Sequence, residues 1–146
     1  MKVVLVHPLI PPNTGSIGRL CAATGTPLTL VEPLGFSLDD RYLKRAGLDY
    51  WPWIDLTVTP DWRAVLSAGR PWLFTAHAER THTEVEYAEG DLLVFGQEDT
   101  GLSDEILEAW PDQHVRIPMD NPNVRSLNLA QCAAVAVYEA RRQLGR

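Results

Sequence analysis

Three short segments in the last third of the chain place residues suited to ligand binding directly after apolar runs. Residues 94–102 read Val-Phe-Gly-Gln-Glu-Asp-Thr-Gly-Leu, residues 117–119 read Ile-Pro-Met, and residues 125–129 read Arg-Ser-Leu-Asn-Leu before an Ala/Val-rich stretch. Loops that follow the carboxyl ends of parallel strands form the ligand site of open α/β sheets. Helix or strand packing does not require this order of Gly, Pro, Arg, Ser and Asn, so the pattern predicts a binding site.

Residues 10–19 are a further candidate, because they form a glycine-containing turn that enters a predicted helix. Free backbone N–H groups at such a turn suit a phosphate, and a simple helix cap is the alternative. Gly15 and Gly18 are spaced G-x-x-G, which does not match the dinucleotide fingerprint G-x-G-x-x-G. Arg19 lies one turn into this helix. Its planar guanidinium can hold a phosphate, although a lone arginine is more often simply solvated.

The polar residues of the later loops also have structural alternatives. Glu98 either contributes to a site or anchors neighbouring backbone N–H groups, and glycines at both ends of its loop allow close approach of a ligand. Ser126 is either a ligand contact or the N-cap of the last helix. Asn128, near the start of that helix, has no obvious purpose in a core.

Short apolar runs alternate with helical patterns along the chain, which predicts an α/β fold with a mostly parallel sheet and helices on both faces. The runs resemble strands that are buried on both sides. Helix caps are predicted at Ser37 with Asp40, at Thr59 before Pro60, and at Ser103. We predict strands at 3–6, 28–31, 56–58, 72–75, 92–95 and 115–117, and helices at 16–23, 38–46, 61–68, 104–110 and 127–144.

Residues 77–90 interrupt this alternation between the fourth and fifth strands. They carry no helical stripe and many charged residues. We therefore expect a long loop, which in a small domain is typical of a functional lid or a mobile segment.

The charge of the chain is distributed unevenly. A net charge of −6 over 146 residues argues against a protein that coats nucleic acid indiscriminately. Between Glu79 and Asp112 there are 11 acidic residues and one basic residue, Arg80, which leaves 12 basic and 8 acidic residues elsewhere. Any surface that contacts RNA is therefore expected outside residues 79–112.

Length and composition indicate the number of domains and the kinds of site and cellular location to expect. A length of 146 residues predicts that residues 1–146 form a single domain. Cys21 and Cys132 lie within predicted helices, which favours buried thiols in a reducing compartment. The four histidines show no ligand spacing, so we expect no metal site. The chain lacks a membrane-spanning run and its start lacks the features of a signal peptide, so we expect a cytoplasmic protein with no membrane partner.

Taken together, the loops resemble the three motifs of the SPOUT methyltransferases, which are knotted α/β RNA methyltransferases that use S-adenosylmethionine. Residues 11–22 resemble the first motif, and residues 32–36 and 45–50 resemble the segments that follow it. Residues 125–129 and 137–143 resemble the third motif. The likeness runs from end to end without a separate RNA-binding domain, and it is nearest to the small enzymes that methylate the ribose 2′-hydroxyl at the tRNA wobble position.

This chain departs from the family pattern at three places. Leu127-Asn128-Leu129-Ala130-Gln131 stands where relatives commonly read L-N-L-S-N, residues 121–124 are atypical, and Ser16 replaces a frequent Asn. These departures bear on substrate choice more than on fold or cofactor.

The resemblance implies a fold and a donor site. It implies that the C-terminal helix is threaded through a loop between neighbouring strands to form a deep trefoil knot, which is a rare exception to the usual rules of chain connection. It also implies S-adenosylmethionine as the cofactor, with its adenine held by backbone groups. Carried over by position, the cofactor-binding residues are Ala76, Gly96, Ile117 and Ser126.

The resemblance further implies a reaction and its partners. Arg19 is the predicted catalytic residue; because a guanidinium stays protonated, it would hold a phosphate and stabilise the developing oxyanion rather than act as a general base. Asn128 and Tyr138 are predicted to organise the site, with core packing as the alternative for Tyr138. The expected partners are the anticodon stem-loop of tRNA, methylated at position 34, and a second copy of the chain in a homodimer.

Arginine and lysine residues outside the acidic span are the predicted RNA contacts. Arg41, Lys44 and Arg45 are spaced i, i+3 and i+4, which places them on one helical face. That face either is simply solvated or contacts RNA phosphates, and Arg125 is assigned to the same RNA-binding set. Five tryptophans are unusual in so short a chain. Trp51, Trp53 and Trp62 serve either core or dimer packing or base stacking.

Two other functions remain open at this point. The first is 2′-O-methylation of another tRNA position or of ribosomal RNA. The second is a non-catalytic nucleotide-binding α/β module, such as a flavodoxin-like domain, which would need an acidic pocket or a flavin loop after the first strand. The chain has His-Pro-Leu-Ile-Pro-Pro at residues 7–12 instead.

Overall fold

The computed structural model describes the backbone of residues 1–146 and every side chain except those of Lys44 and residues 46–49. Six strands form one sheet in which every pairing is parallel. The order across the sheet is β3-β2-β1-β5-β4-β6. The strands are β1 (Lys2–Val6), β2 (Leu28–Val31), β3 (Leu56–Thr59), β4 (Pro71–Phe74), β5 (Leu92–Phe95) and β6 (His114–Val115).

Five α-helices and one 3₁₀ segment connect the strands, as the alternation of apolar patterns predicts. The 3₁₀ segment, Leu48–Trp53, directly follows α2. The α-helices are α1 (Pro11–Thr24), α2 (Arg41–Gly47), α3 (Trp62–Ser67), α4 (Asp104–Ala109) and α5 (Leu129–Gln143).

Helices cover both faces of the sheet, so the central strands are buried on both sides. On one face α1 and α5 pack over Leu5, Leu93 and Phe95. On the other face α3 and α4 pack over Val4, Val94 and neighbouring apolar side chains. This double coverage explains why β1, β2 and β5 are nearly continuous apolar runs rather than alternating ones. The predicted fold class is confirmed in its parallel sheet and its two helical layers.

The strand order places a candidate site at one edge of the sheet. The chain runs outward through β1, β2 and β3, and it then crosses to the other half, where β5 pairs with both β1 and β4. The carboxyl ends of β5, β4 and β6 are therefore neighbours, next to the point at which the strand order reverses. Ligands of open α/β sheets bind at this kind of position.

Several predicted helix starts are wrong by a few residues. Helix α1 begins at Pro11 rather than at residue 16, because proline is tolerated in the first turn, where no N–H partner is needed. Asp40 rather than Ser37 caps α2, through hydrogen bonds from Tyr42 and Leu43. Asp61 rather than Thr59 caps α3. The Ser103 cap of α4 is confirmed.

The long connection between β4 and β5 contains no helix or strand, as predicted, but it is packed rather than free. Val85 and Tyr87 belong to the core under α5. Gln143 of α5 donates to the Val85 carbonyl at 3.0 Å and accepts from the Tyr87 N–H at 3.0 Å. The His82 N–H donates to the Arg116 carbonyl at 2.8 Å. These bonds do not fit the expectation of a mobile segment.

Asp91 fixes the end of this connection where β5 begins. Its carboxylate accepts hydrogen bonds from Arg70, from the Trp72 indole N–H at 2.9 Å and from the Ala88 N–H at 2.8 Å. Burial raises the pKa of Asp91, but these donors outweigh burial and hold that pKa below its ordinary value. Asp91 is therefore an ionised anchor in the folded protein.

Candidate active site

One pocket lies at the carboxyl ends of β4, β5 and β6, and it brings together all four residues predicted to bind a cofactor. Its volume is about 420 Å³. Ala76 follows β4, Gly96 follows β5, Ile117 follows β6, and Ser126 precedes α5. The three loops after the strands and the approach to α5 therefore form a single cavity.

The inner wall of the pocket is apolar and aromatic. Phe74 and Phe95 stack with ring centroids 4.7 Å apart and an interplanar angle of 21°. Leu102, at the end of the β5 loop, and Leu129, at the start of α5, extend this wall. An apolar and aromatic wall suits a heterocyclic ring.

Backbone groups of the predicted residues are available to a ligand. Within the part of the chain that the structure describes, the N–H groups of Ala76, Ile117 and Ser126 make no hydrogen bond. Ala76 and Ile117 cannot recognise a polar ligand through their side chains. Their place in the pocket therefore fits the expectation that main-chain groups read the ligand.

The β5 loop has a shape that only glycine permits at its two ends. A Cβ on Gly96 would lie 2.1 Å from the Gly101 carbonyl carbon, because the loop folds back on itself. Gln97 and Gly101 exchange backbone hydrogen bonds of 2.9 and 3.2 Å, and Gly101 has φ of 72°. The spacing of these glycines thus closes a tight loop that forms one side of the pocket.

Glu98 ties this loop to the start of α1. One carboxylate oxygen accepts from the Leu9 N–H at 2.8 Å, and the other accepts from the Ile10 N–H at 3.0 Å. The sequence left open whether Glu98 anchors backbone N–H groups, and the structure shows that it does. Glu98 also lines the pocket. Through its two hydrogen bonds it connects the β5 loop of the pocket to the start of α1, the helix that carries Arg19.

The remaining charged side chains around the pocket are distributed between its two sides. Asp99 and Asp104 lie on the side formed by the β5 loop and the start of α4. Arg125 lies on the side that leads into α5. The pocket thus presents carboxylates on one side and a guanidinium on the other.

Arg19 lies outside the residues that line the pocket of its own chain. It is exposed on α1, and its guanidinium carbon sits 4.6 Å from the centre of the Tyr50 ring. Gly18 beside it packs closely on the 3₁₀ segment and on Ile54, which directly follows it: a Cβ there would meet Ile54 at 2.8 Å and Trp51 at 3.5 Å. Arg19 is therefore held on a surface formed by α1 and the 3₁₀ segment.

Asn128 rather than Ser126 caps α5. Its side-chain oxygen accepts from the N–H groups of Ala130 at 2.9 Å and Gln131 at 3.3 Å, and its amide nitrogen donates to Asn13 at 3.0 Å. Asn13 is buried in the first turn of α1. Both ends of the Asn128 amide are thus occupied in joining α5 to α1, and its predicted catalytic role stays a prediction.

Tyr138 is 57% exposed on the outer face of α5, and core packing is excluded as its role. Val135, one turn earlier, is 41% exposed, and Leu127 and Val124 before the helix are also exposed. Tyr138 does not line the pocket of its own chain. It belongs instead to an apolar surface along α5.

The predicted RNA-binding residues fall in two places. Arg41 and Arg45 are exposed on α2, and the Arg41 guanidinium lies 4.8 Å from the Tyr42 ring centre. The side chain of Lys44 lies outside the described residues. Arg125 is separate from these two, at the pocket.

The tryptophans divide between packing and exposure. Trp62 packs edge-on against Trp110 with ring centroids 6.4 Å apart. The Trp51 ring packs against Gly18 of α1. Trp53 is 77% exposed.

Some site residues carried no clear signal in the sequence. Asn13 sat in an apparent turn, and its link to Asn128 spans 115 positions, so no local pattern could indicate it. Tyr50 likewise meets Arg19 only through tertiary packing.

Among the described residues, no group of three or more His, Cys, Asp or Glu is arranged to hold a metal ion. None of the described helices has the length and apolar character needed to cross a membrane.

Comparison with known proteins places this geometry in a family. The family model described as the SpoU rRNA methylase family matches residues 1–138. A tRNA (cytidine(34)-2′-O)-methyltransferase from Methylovorus glucosotrophus is 50% identical over 145 residues, which cover 97% of this chain and 94% of that protein.

Solved structures agree with this match. One, described as giving structural insights into the 2-OH methylation of C/U34 on tRNA, has a TM-score of 0.92 and 47% identity, covering 99% of this chain and 97% of that one. The SpoU methyltransferase AviRb from Streptomyces viridochromogenes, in complex with AdoMet, has a TM-score of 0.82 and 26% identity, covering 99% of this chain and 60% of that one. The resemblance inferred from the motifs is thereby confirmed: the chain belongs to the SpoU methylase family.

Proposed function

We propose that this protein transfers a methyl group from S-adenosylmethionine to the ribose 2′-hydroxyl of the wobble nucleotide, position 34, of tRNA. The observation that carries this proposal is the convergence of Ala76, Gly96, Ile117 and Ser126 on one pocket at the carboxyl edge of the sheet. The names of the relatives that match nearly the whole chain support the choice of tRNA position 34.

The pocket has the chemistry that the methyl donor requires. The Phe74–Phe95 wall suits the adenine ring, and the unpaired N–H groups of Ala76 and Ile117 suit its ring nitrogens. Carboxylates of Asp99 and Asp104 suit the positive charges on the sulfonium and the ammonium group. S-adenosylmethionine would supply an electrophilic methyl group there.

Arg19 carries the catalytic role in this proposal. The 2′-oxygen develops negative charge as its proton leaves, and a guanidinium that also holds the neighbouring phosphate stabilises that charge. Because Arg19 does not line the pocket of its own chain, we propose that it completes the pocket of a partner subunit in a homodimer. The apolar surface around Val135 and Tyr138 is the proposed dimer contact.

Other features of the family complete the proposal. We propose that α5 is threaded into a deep trefoil knot and that residues 1–146 act as one catalytic domain in the cytoplasm. Arg41, Lys44 and Arg45 are the proposed contacts to the anticodon stem-loop. No metal and no membrane enter the proposal. Asn128 is proposed as a positioning residue, through its bonds to α1 and α5.

The direct test is mass spectrometry of nucleosides from tRNA that has been incubated with the protein and isotopically labelled S-adenosylmethionine. The expected product is labelled 2′-O-methylcytidine or 2′-O-methyluridine from position 34. Label at another tRNA position, or on ribosomal RNA instead, would favour the alternative target. Binding of donor without transfer to any RNA would favour a non-catalytic nucleotide-binding module.

Arg19→Ala tests the catalytic assignment. It is expected to abolish methylation while the affinity for S-adenosylmethionine stays within a few-fold of wild type, because Arg19 does not line the pocket. Mixing Arg19→Ala with Ser126→Trp, which places an indole in the pocket from an exposed position, should restore activity in the mixed dimer if Arg19 acts across the interface. Mixed dimers without activity would contradict action in trans.

A further inference from the structure

Arg125 occupies a position that the RNA-binding assignment does not explain. It lines the pocket between Met119 and Ser126, away from Arg41 and Arg45 on α2. Its side chain is exposed, and it has no ion pair or hydrogen bond with any described residue. A positive charge is therefore available at the pocket without a partner from the protein.

The backbone before Arg125 is fixed by a local turn. Asn121 accepts from the Asn123 N–H through its side chain at 2.9 Å, and from the Val124 N–H through its carbonyl at 3.1 Å. Asn128, three residues after Arg125, is bonded to both α1 and α5. Arg125 is thus presented from a short segment that is held at both ends.

The charged residues that line the pocket indicate which kind of anionic ligand could bind to Arg125. Glu98, Asp99 and Asp104 line it together with Arg125, the one arginine or lysine among the described lining residues. Glu98 is already satisfied by two backbone N–H groups. Three carboxylates disfavour entry of a chain of phosphates by like-charge repulsion. A small zwitterion with one carboxylate and two positive centres matches this arrangement.

We propose that Arg125 is the anion-binding residue of this pocket and that it holds the α-carboxylate of the methyl donor's amino-acid tail. This inference rests on the proposed function, because the donor is the ligand concerned. The competing source of the same negative charge is a phosphate of the RNA. Arg125 is then a donor-binding residue rather than an RNA-binding one.

The test compares two ligands that differ only in the carboxylate: S-adenosylmethionine and its decarboxylated form, measured by calorimetry. Wild type is expected to bind S-adenosylmethionine more tightly, by about 10- to 100-fold, which is the range for a hydrogen bond between charged groups. Arg125→Ala is expected to lose the preference for S-adenosylmethionine, with its affinity for the decarboxylated ligand unchanged within about two-fold. Arg125→Lys should keep part of the preference, since it retains charge but not the planar fork.

Arg63→Ala is the matched control, because Arg63 is an exposed arginine that pairs with Glu105 away from the pocket. It should keep the full wild-type preference. Binding of tRNA is measured in parallel with the product S-adenosylhomocysteine present at saturation, and Arg125→Ala is expected to bind it as wild type does.

Three results would overturn the inference. If Arg125→Ala still prefers S-adenosylmethionine as wild type does, Arg125 does not hold the carboxylate. If Arg125→Ala binds both ligands more weakly by the same factor, the substitution has disturbed the pocket rather than a carboxylate contact. Loss of tRNA affinity with the preference intact assigns Arg125 to a phosphate. These results leave the proposed function standing, whereas wild type that binds neither ligand would refute both.

Discussion

Replacement of Glu98 tests whether the pocket loop and the start of α1 are held together as the structure indicates. Glu98→Ala leaves the N–H groups of Leu9 and Ile10 without acceptors at 2.8 and 3.0 Å. A hydrogen bond to a charged group contributes about 1.5–3 kcal/mol. Because Glu98 is only half-buried, water replaces part of these hydrogen bonds in the variant. We therefore expect the free energy of unfolding to fall by about 2–4 kcal/mol.

Thermal unfolding followed by calorimetry measures this loss. At about 3 °C per kcal/mol for a chain of this size, Glu98→Ala should melt about 6–12 °C lower than wild type. Glu98→Gln keeps one oxygen acceptor but loses the charge, so it should lose roughly half as much. Donor affinity should fall in the same order, because Glu98 lines the pocket.

Glu108→Ala is the control, since Glu108 is an exposed glutamate on α4 with no hydrogen bond or ion pair among the described residues. It should change the free energy of unfolding by less than about 0.5 kcal/mol. If Glu98→Ala melts within a degree of Glu108→Ala, the carboxylate does not hold the two segments together and the reasoning is refuted.

Three further predictions follow from the surface and the buried charges. Arg41→Glu with Arg45→Glu should weaken tRNA binding at least about 10-fold at low salt, without changing donor affinity, because the two proposed phosphate contacts become repulsive. Tyr138→Glu should dissociate the proposed homodimer in sedimentation velocity, because it places a charge in the apolar surface of α5. The pKa of Asp91 is lowered in the folded state, so ionised Asp91 stabilises the fold at pH values above the ordinary pKa near 4, and this stabilisation is lost as the pH falls below that value. Denaturant titrations at a series of pH values should show the loss, and Asp91→Asn should make the free energy of unfolding less dependent on pH.

Each of these predictions has an outcome that contradicts it. Unchanged tRNA affinity would remove α2 from the docking surface, and a dimer that survives Tyr138→Glu would place the interface elsewhere. An acid dependence that persists in Asp91→Asn would assign it to other carboxylates.

The sheet could be predicted from the sequence because both of its faces are buried. Runs such as Val3–Val6 and Leu92–Phe95 are continuously apolar, which fits a strand that is buried on both faces. Their predicted bounds agree with the structure to within a residue. The convergence of the pocket loops followed from the rule that carboxyl ends of parallel strands share an edge.

Helix starts and residue roles were harder to predict, for identifiable reasons. The stretch Pro-Pro-Asn-Thr-Gly has the composition of a turn, yet it is the first part of α1, because burial of Asn13 and Thr14 against the rest of the fold outweighs local preference. Ser126 and Asn128 are both suitable N-caps, and only the distant contact with Asn13 distinguishes them. The position of Arg19 outside its own pocket also depends on tertiary packing.

The α5 side of the pocket is reached through the exposed residues 120–128. A protease that cuts once in this stretch would break the chain between the strand loops of the pocket and its α5 side, although α5 itself remains attached to the β4–β5 connection through Gln143. Occupancy of the pocket would in turn shield the same stretch from cleavage. Resistance to limited digestion therefore becomes a readout of whether the donor is bound, independent of any catalytic turnover.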